Sequence, residues 1–196
     1  MLAEQPLFQV KNLATLHGGA GFDFSLHPHE VLAISGPSGS GKSLLLRALA
    51  DLDKHQGQVF LNGQSQATFK PADWRRKIVL VAAESAWWNS VVADHFQELP
   101  AEQTLSELGF STDVFRWPVD RLSSGERQRL GLLRALVLKP TVLLLDEPTA
   151  NLDENNTLKI EKLLQKYLRN HTAVAIWVSH DSAQRKRLNS KELTLT

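Results

Sequence analysis

The run Val31-Leu-Ala-Ile-Ser-Gly-Pro-Ser-Gly-Ser-Gly-Lys-Ser-Leu-Leu-Leu46 opens on an apolar segment, Val31–Ser35, turns through glycines and serines, and enters a leucine-rich stretch at Lys42. An apolar segment that does not alternate with polar residues reads as a strand buried on both faces, and such strands belong to parallel sheets covered by helices. The same texture recurs at Ile78–Ala83, Val142–Leu145 and Ala173–Val178. Between these segments lie helical patterns at Lys42–Asp51, Glu126–Leu138 and Glu154–Arg169, the last with Leu158, Leu163, Leu164 and Tyr167 on one side. Strands alternating with helices define an α/β fold. Phe8–Leu13, Phe22–Leu26 and Gln58–Leu61, the last closed by Asn62-Gly63, read instead as short antiparallel strands with a hairpin turn. The stretch from Glu84 to Arg121 has two prolines and no strand pattern, so a small, mostly helical insertion is expected there. A last strand is expected at Glu192–Thr196.

With 196 residues, 42% of them apolar and 22% charged, the chain is long enough for one compact domain with a substantial core. The net charge of +1 gives no electrostatic case for nucleic acid or a membrane surface as the main partner. The absence of cysteine excludes disulfides and thiolate metal sites. The start, Met1-Leu-Ala-Glu-Gln-Pro-Leu-Phe8, has no basic stretch before an apolar run, so no signal peptide is expected. Every apolar run is far shorter than the roughly 20 residues needed to span a bilayer.

Three motifs carry chemistry. Gly36-Pro-Ser-Gly-Ser-Gly-Lys-Ser43 matches G-x-x-x-x-G-K-[ST] in full, with a strand before it and a helix after it. Its glycines let successive backbone N–H groups face a phosphate, and the helix N-terminus adds its dipole. The candidate nucleotide contacts are Gly36, Pro37, Ser38, Gly39, Ser40, Gly41, Lys42 and Ser43. Lys42 is expected at the β- and γ-phosphates, and the Ser43 hydroxyl on Mg²⁺. Val142-Leu-Leu-Leu-Asp-Glu-Pro-Thr149 delivers two carboxylates at a strand's C-terminal end, where open α/β sheets bind ligands. Asp146 is the candidate for holding Mg²⁺ through water, and Glu147 the candidate base for an attacking water. Such a pair also serves elsewhere simply to cap a following helix. Leu122-Ser-Ser-Gly-Glu-Arg-Gln-Arg129 precedes an apolar helical run. It reads either as ordinary helix punctuation, with an N-cap and Glu126 in the first turn, or as a second anion site.

Taken together and in this chain order, these motifs with Ala150-Asn-Leu-Asp153 and Val178-Ser-His-Asp181 resemble the nucleotide-binding domains of ABC transporters, over nearly the whole chain. The nearest likeness is to small stand-alone ATPases of an iron-export-like system. The resemblance implies a P-loop NTPase fold with a mostly parallel core sheet, an antiparallel β subdomain and a small helical subdomain. It implies one domain over residues 1–196, with core segments 1–83 and 139–196 and helical residues at about 84–138. ATP and Mg²⁺ are the implied cofactors. Ser123, Ser124, Gly125 and Glu126 become the signature that touches the γ-phosphate held by a second ATPase subunit, most simply an identical one. Asn151–Asp153 becomes the loop where protomers meet, and His180 a switch histidine at the γ-phosphate. Further implied are polytopic membrane subunits and a cytoplasmic, peripheral position at the inner face of the cell membrane.

The sequence departs from the family pattern in four places. Ser124 and Glu126 stand where Gly and Gln are common. Ala82-Ala83-Glu84 follows the strand after which the family carries a Mg²⁺-ligating glutamine. Thr15, Leu16 or His17 stands where an aromatic residue stacks on adenine. The insertion before Leu122 is compact. Trp87 and Trp88 follow Glu84, and neighbours on a regular element face opposite ways, so at least one is expected to be partly exposed as part of a docking surface. An irregular loop folding both under the insertion is the alternative. An ABC-type ATPase acting on nucleic acid or ribosomes is a second reading, although a coiled-coil insertion, tandem copy or basic surface is lacking. A P-loop kinase or GTPase is a third, opposed by the signature and by the lack of Asn-Lys-x-Asp.

Overall fold

A computed structural model of the chain describes residues 5–15 and 21–195. Leu16 and His17, two of the three positions considered for adenine stacking, lie outside them, as does Thr196. The elements in chain order are β1 (Phe8–Thr15), β2 (Phe22–Leu26), β3 (Val31–Ser35), α1 (Lys42–Leu49), β4 (His55–Leu61), β5 (Gln64–Ser65), α2 (Pro71–Lys77) and β6 (Ile78–Val81). They continue with α3 (Glu102–Glu107), α4 (Ser124–Val137), β7 (Val142–Asp146), α5 (Glu154–Asn170), β8 (Val174–Val178), α6 (Ser182–Arg187) and β9 (Lys191–Thr194).

Two sheets form, as the strand patterns require. One has the order β6-β7-β8-β3-β9, with every neighbouring pair parallel. The other is antiparallel, β2-β1-β4-β5. Its last hairpin turns at Asn62 and Gly63, with φ of 49° and 72°, the left-handed pair that a two-residue turn of the right twist demands.

The period-2 geometry of a strand explains why Val142–Leu145 of β7 and all of β8, in the middle of the parallel sheet, carry no polar positions. Leu143, Leu145, Ala175 and Trp177 face a cluster built with α4, α5 and the insertion, whereas Val142, Leu144, Val174, Ile176 and Val178 face a second cluster with α1 and the antiparallel sheet. Each fully buried Leu, Ile or Val contributes about 1.5–3 kcal/mol, so both faces must be apolar.

The expected insertion is present, but its helices are shorter than the word suggests. Between Glu84 and Arg121 there is one α-helix, α3, and 3₁₀ turns at Val92–His95, Thr112–Arg116 and Val119–Arg121, with one bridge from Val91 to Pro118. Val92, Leu105, Val114 and Phe115 join the same buried cluster as Leu143 and Leu145, so the insertion packs on the main core and has no core of its own. Helix α2 was not evident in the sequence; Pro71 starts it, and Trp74 Nε1 donates to the Leu49 carbonyl at 2.9 Å, pinning it to the end of α1.

Candidate nucleotide-binding and hydrolysis site

Strand order gathers the motifs at one edge. Val178 at the end of β8 pairs with Ile34 of β3 on one side and Asp146 of β7 on the other. The parallel strands therefore deliver Gly36, Glu147 and His180 along a single C-terminal edge, spanning two strand spacings or roughly 10 Å.

The loop Gly36–Ser43 leaves β3 and enters α1. Gly36, Gly39 and Gly41 have φ of 147°, 81° and 90°. At Gly36 a Cβ would come within 2.4 Å of the Leu195 carbonyl oxygen, so the residue must be glycine. At Gly39 and Gly41 a Cβ would meet nothing within 4 Å, so the backbone faces open space on that side. Helix α1 has no side-chain cap and no acidic residue in its first turn, so its leading N–H groups have no side-chain partner among the described residues. Lys42 is buried, with Nζ donating to the carbonyls of Gly36 at 3.0 Å and Pro37 at 2.8 Å. An ammonium has three N–H donors, and one remains for a ligand. Free N–H groups, a helix N-terminus and a spare ammonium proton suit a polyphosphate. Pro37, Ser38, Gly39 and Ser43 are exposed, or half-exposed in the case of Ser40 and Gly41.

Asp146 closes β7 half-buried, and Glu147 follows at φ 47°, a left-handed conformation costly for a residue with a Cβ. His180 Nε2 lies 3.2 Å from Glu147 Oε1, joining the two sequence candidates. Among the described residues no group of three His, Cys, Asp or Glu side chains gathers to hold a metal. The donors at hand, the Ser43 hydroxyl and the Asp146 carboxylate, suit Mg²⁺, which keeps several waters and completes its octahedron with substrate phosphates.

Ser123–Glu126 forms a complete capping box on α4. Ser123 Oγ accepts from the Glu126 N–H at 3.3 Å, and Glu126 Oε2 accepts from the Ser123 N–H and hydroxyl, both at 2.8 Å. The punctuation reading of the sequence is thus structurally true, and it leaves Ser124 exposed at the helix tip. A Cβ on Gly125 would lie 3.0 Å from Leu152 Cδ2, so this turn abuts the Asn151–Asp153 loop of the same chain. Asp153 in turn caps α5, accepting from the Asn156 N–H at 2.8 Å and its side-chain amide at 2.7 Å, bonds that hold its carboxyl below the usual range. Burial draws the Arg129 guanidinium down, while the nearby Glu126 and Asp153 pull it up.

The sequence pattern missed Gln128. It is buried on α4, and its Nε2 donates to the Glu147 carbonyl at 3.0 Å. It also missed the brace behind the edge, where Gln184 Nε2 donates to Thr149 Oγ1 and Glu161 Oε1, both at 3.0 Å.

Further along the molecule, Glu84, Trp88, His95, Arg134 and Leu138 line a groove of 420 Å³ beside β6. Trp88 is 68% exposed and Trp87 half-buried, as the adjacency argument requires. Yet both rings meet His95 edge-on at 4.8 Å, and the Arg134 guanidinium sits 4.9 Å from each ring centre. His95 Nε2 accepts from the N–H groups of Trp88 and Asn89, and Nδ1 faces the Val91 carbonyl, so the loop is built around this imidazole.

Comparison with known proteins agrees with this geometry. The family described as ABC transporter matches residues 20–150. The chain is 32% identical to the "Probable iron export ATP-binding protein FetA" of Escherichia coli, over 92% of this chain and 88% of that protein. It is 36% identical to the phosphate import ATP-binding protein PstB of Aeropyrum pernix, over 89% of this chain and 79% of that one. Among solved structures, an ATP-binding cassette determined as a dimer in a post-hydrolysis state with ADP and Pi superposes with a TM-score of 0.81 at 23% identity, covering 96% of this chain and 94% of that one. A bacterial Atm1-family ABC exporter with ATP bound gives 0.82 at 21% identity, over 100% of this chain and 38% of the exporter. These two likenesses establish the fold. By sequence, the chain belongs to the ABC transporter family, as an ATP-binding, ATP-hydrolysing subunit.

Proposed function

We propose that two copies of this chain close on ATP and hydrolyse it, and that the motion drives transport through separate polytopic membrane subunits. The observation that carries this reading is the contrast between an uncapped α1 beside Glu147 and His180 and a signature turn whose hydrogen bonds run inward. The first is a phosphate cradle next to a candidate base. The second has its cap donors already satisfied and leaves Ser124 exposed, which supports a signature offered to a nucleotide held by another copy.

Within one site, Gly36–Ser43 wraps the phosphates and Lys42 neutralises the β- and γ-phosphates. Ser43 and Asp146 would hold Mg²⁺, which would supply charge neutralisation on the transferring phosphoryl group. Glu147 accepts the proton of the attacking water, and His180, in contact with Glu147 Oε1, orients that carboxylate and reaches toward the γ-phosphate. The partner's signature turn adds N–H groups where charge develops.

The groove at Glu84, Trp88 and Arg134 supports docking of a cytoplasmic loop from a membrane subunit, with an apolar floor and the charged Glu84, Asp94 and Arg134 on its walls. No helix among the described residues is long and apolar enough to cross a membrane, which agrees with a peripheral subunit carried at the inner face by its partner. Relatives named for iron export and for phosphate import share this framework, which supports a cargo choice made in other subunits.

Glu147→Gln tests the reading. The variant should bind Mg-ATP and elute from size exclusion as a dimer, with turnover reduced on the order of 10²–10⁴-fold. Turnover near that of the wild type would remove Glu147 from the chemistry.

A further inference from the structure

We infer that Gln128 is a positioning residue for hydrolysis: its side-chain amide, carried by α4, holds the backbone of Glu147 and so aims the carboxylate. The inference rests on Glu147 being the base. Gln128 is only 3% exposed, and Nε2 donates to the Glu147 carbonyl at 3.0 Å. That carbonyl also accepts from the Ala150 N–H at 3.1 Å, so its peptide plane is held from two directions. The grip falls on a residue whose left-handed φ of 47° is disfavoured and needs its surroundings to maintain it. The carboxylate is half-exposed and, among the described residues, has only His180 as a side-chain partner, so its aim depends on its backbone.

Stability alone gives this amide little to do. Its Oε1 is buried and has no hydrogen-bond partner among the described residues, which costs about 1–3 kcal/mol and offsets what the Nε2 bond contributes. The reverse amide orientation would set oxygen against oxygen at Glu147, so the network fixes the assignment. The Glu147 carbonyl would keep the Ala150 N–H if Gln128 lost its donor. A replacement that fills the space without donating should therefore leave the fold intact and loosen only the Glu147 peptide. Gln128 also lies in the second turn of α4, whose first turn is the signature, so the helix that presents Ser124 is the one that steadies Glu147.

The test compares Gln128→Met, Gln128→Glu and Glu147→Gln with the wild-type chain. Methionine matches the length and lacks the donor. Gln128→Met should keep its melting temperature and its KM for ATP while kcat falls on the order of 10-fold to 100-fold, the usual effect of a slightly misplaced reacting group. In Gln128→Glu the ionised carboxylate cannot donate, but the protonated acid can. Burial favours the neutral acid and raises its pKa, so the ratio of variant to wild-type kcat should climb as pH is lowered from about 8 to about 6. Gln128→Met should show no such climb. Wild-type kcat in Gln128→Met, or a ratio for Gln128→Glu that is flat with pH, overturns the inference. If methionine destabilises the domain, the Gln128→Glu ratio decides alone. Glu147→Gln separates the two levels: full turnover there sinks the base assignment itself, whereas an inactive Glu147→Gln beside a fully active Gln128→Met sinks only the role of Gln128.

Discussion

The N-termini of α1 and α4 are both helix ends in an ATPase, and they are finished in opposite ways. Helix α1 begins after Gly41 in a left-handed conformation, with no side-chain cap and no acidic residue in its first turn. Helix α4 begins after Ser123 with a reciprocal capping box and Glu126 in its first turn. An uncapped N-terminus leaves donors unsatisfied and a positive dipole end exposed, so it gains most from a bound anion. A capped one has already satisfied two of its donors and partly offset its dipole. On the proposed function, the difference separates the end that would hold nucleotide by itself from the end that would contribute only when a second copy brings a phosphate to it.

The two ends can be broken separately. Lys42→Ala removes the buried ammonium of the cradle and its bonds to the Gly36 and Pro37 carbonyls. Nucleotide binding should fall below detection by fluorescent-nucleotide titration while the melting temperature without nucleotide stays close to that of the wild type. Retained tight binding would mean that the phosphates sit elsewhere. Ser123→Ala should have a smaller and different effect. Losing the cap should cost about 1 kcal/mol, seen as a lowered midpoint in urea without any ligand, and nucleotide binding to the isolated subunit should be unchanged. An unchanged midpoint would show that the box contributes nothing to the fold and leave the contrast between the two ends without its energetic half.

The sequence made much of this visible, for physical reasons that also mark where it stops. Val142–Leu145 and Val174–Val178 face apolar clusters on both sides, so nearly every position had to be apolar and the strands were legible. The loop Gly36–Ser43 was legible because its glycines answer to local backbone angles. Strand order was not, since β8 inserts between β7 and β3 through contacts distant in sequence. Helix α2 was missed because it buries only Trp74 and ends on Arg75, Arg76 and Lys77, so it carries no apolar period. Gln128 was missed for a related reason. A polar residue on a patterned helix looks like part of the solvent face, and only the proximity of Glu147 shows otherwise. In α5, Leu158 was expected on the buried side and is only half-buried, while Glu161 is buried because Arg187 and Gln184 satisfy its carboxylate.

The central claim is that the cradle of one copy meets the signature of another. The chain has no cysteine, so engineered thiols are the only ones present. Ser38→Cys and Ser124→Cys, both at exposed positions, can be made in separate chains that also carry Glu147→Gln to retain ATP. The two populations are then mixed and treated with a short bis-maleimide. The account predicts a cross-linked species of twice the monomer mass that contains one chain of each kind and forms only with Mg-ATP. With both cysteines in one chain, a product that stays at monomer mass through an internal link, or a dimer formed equally without ATP, would contradict it.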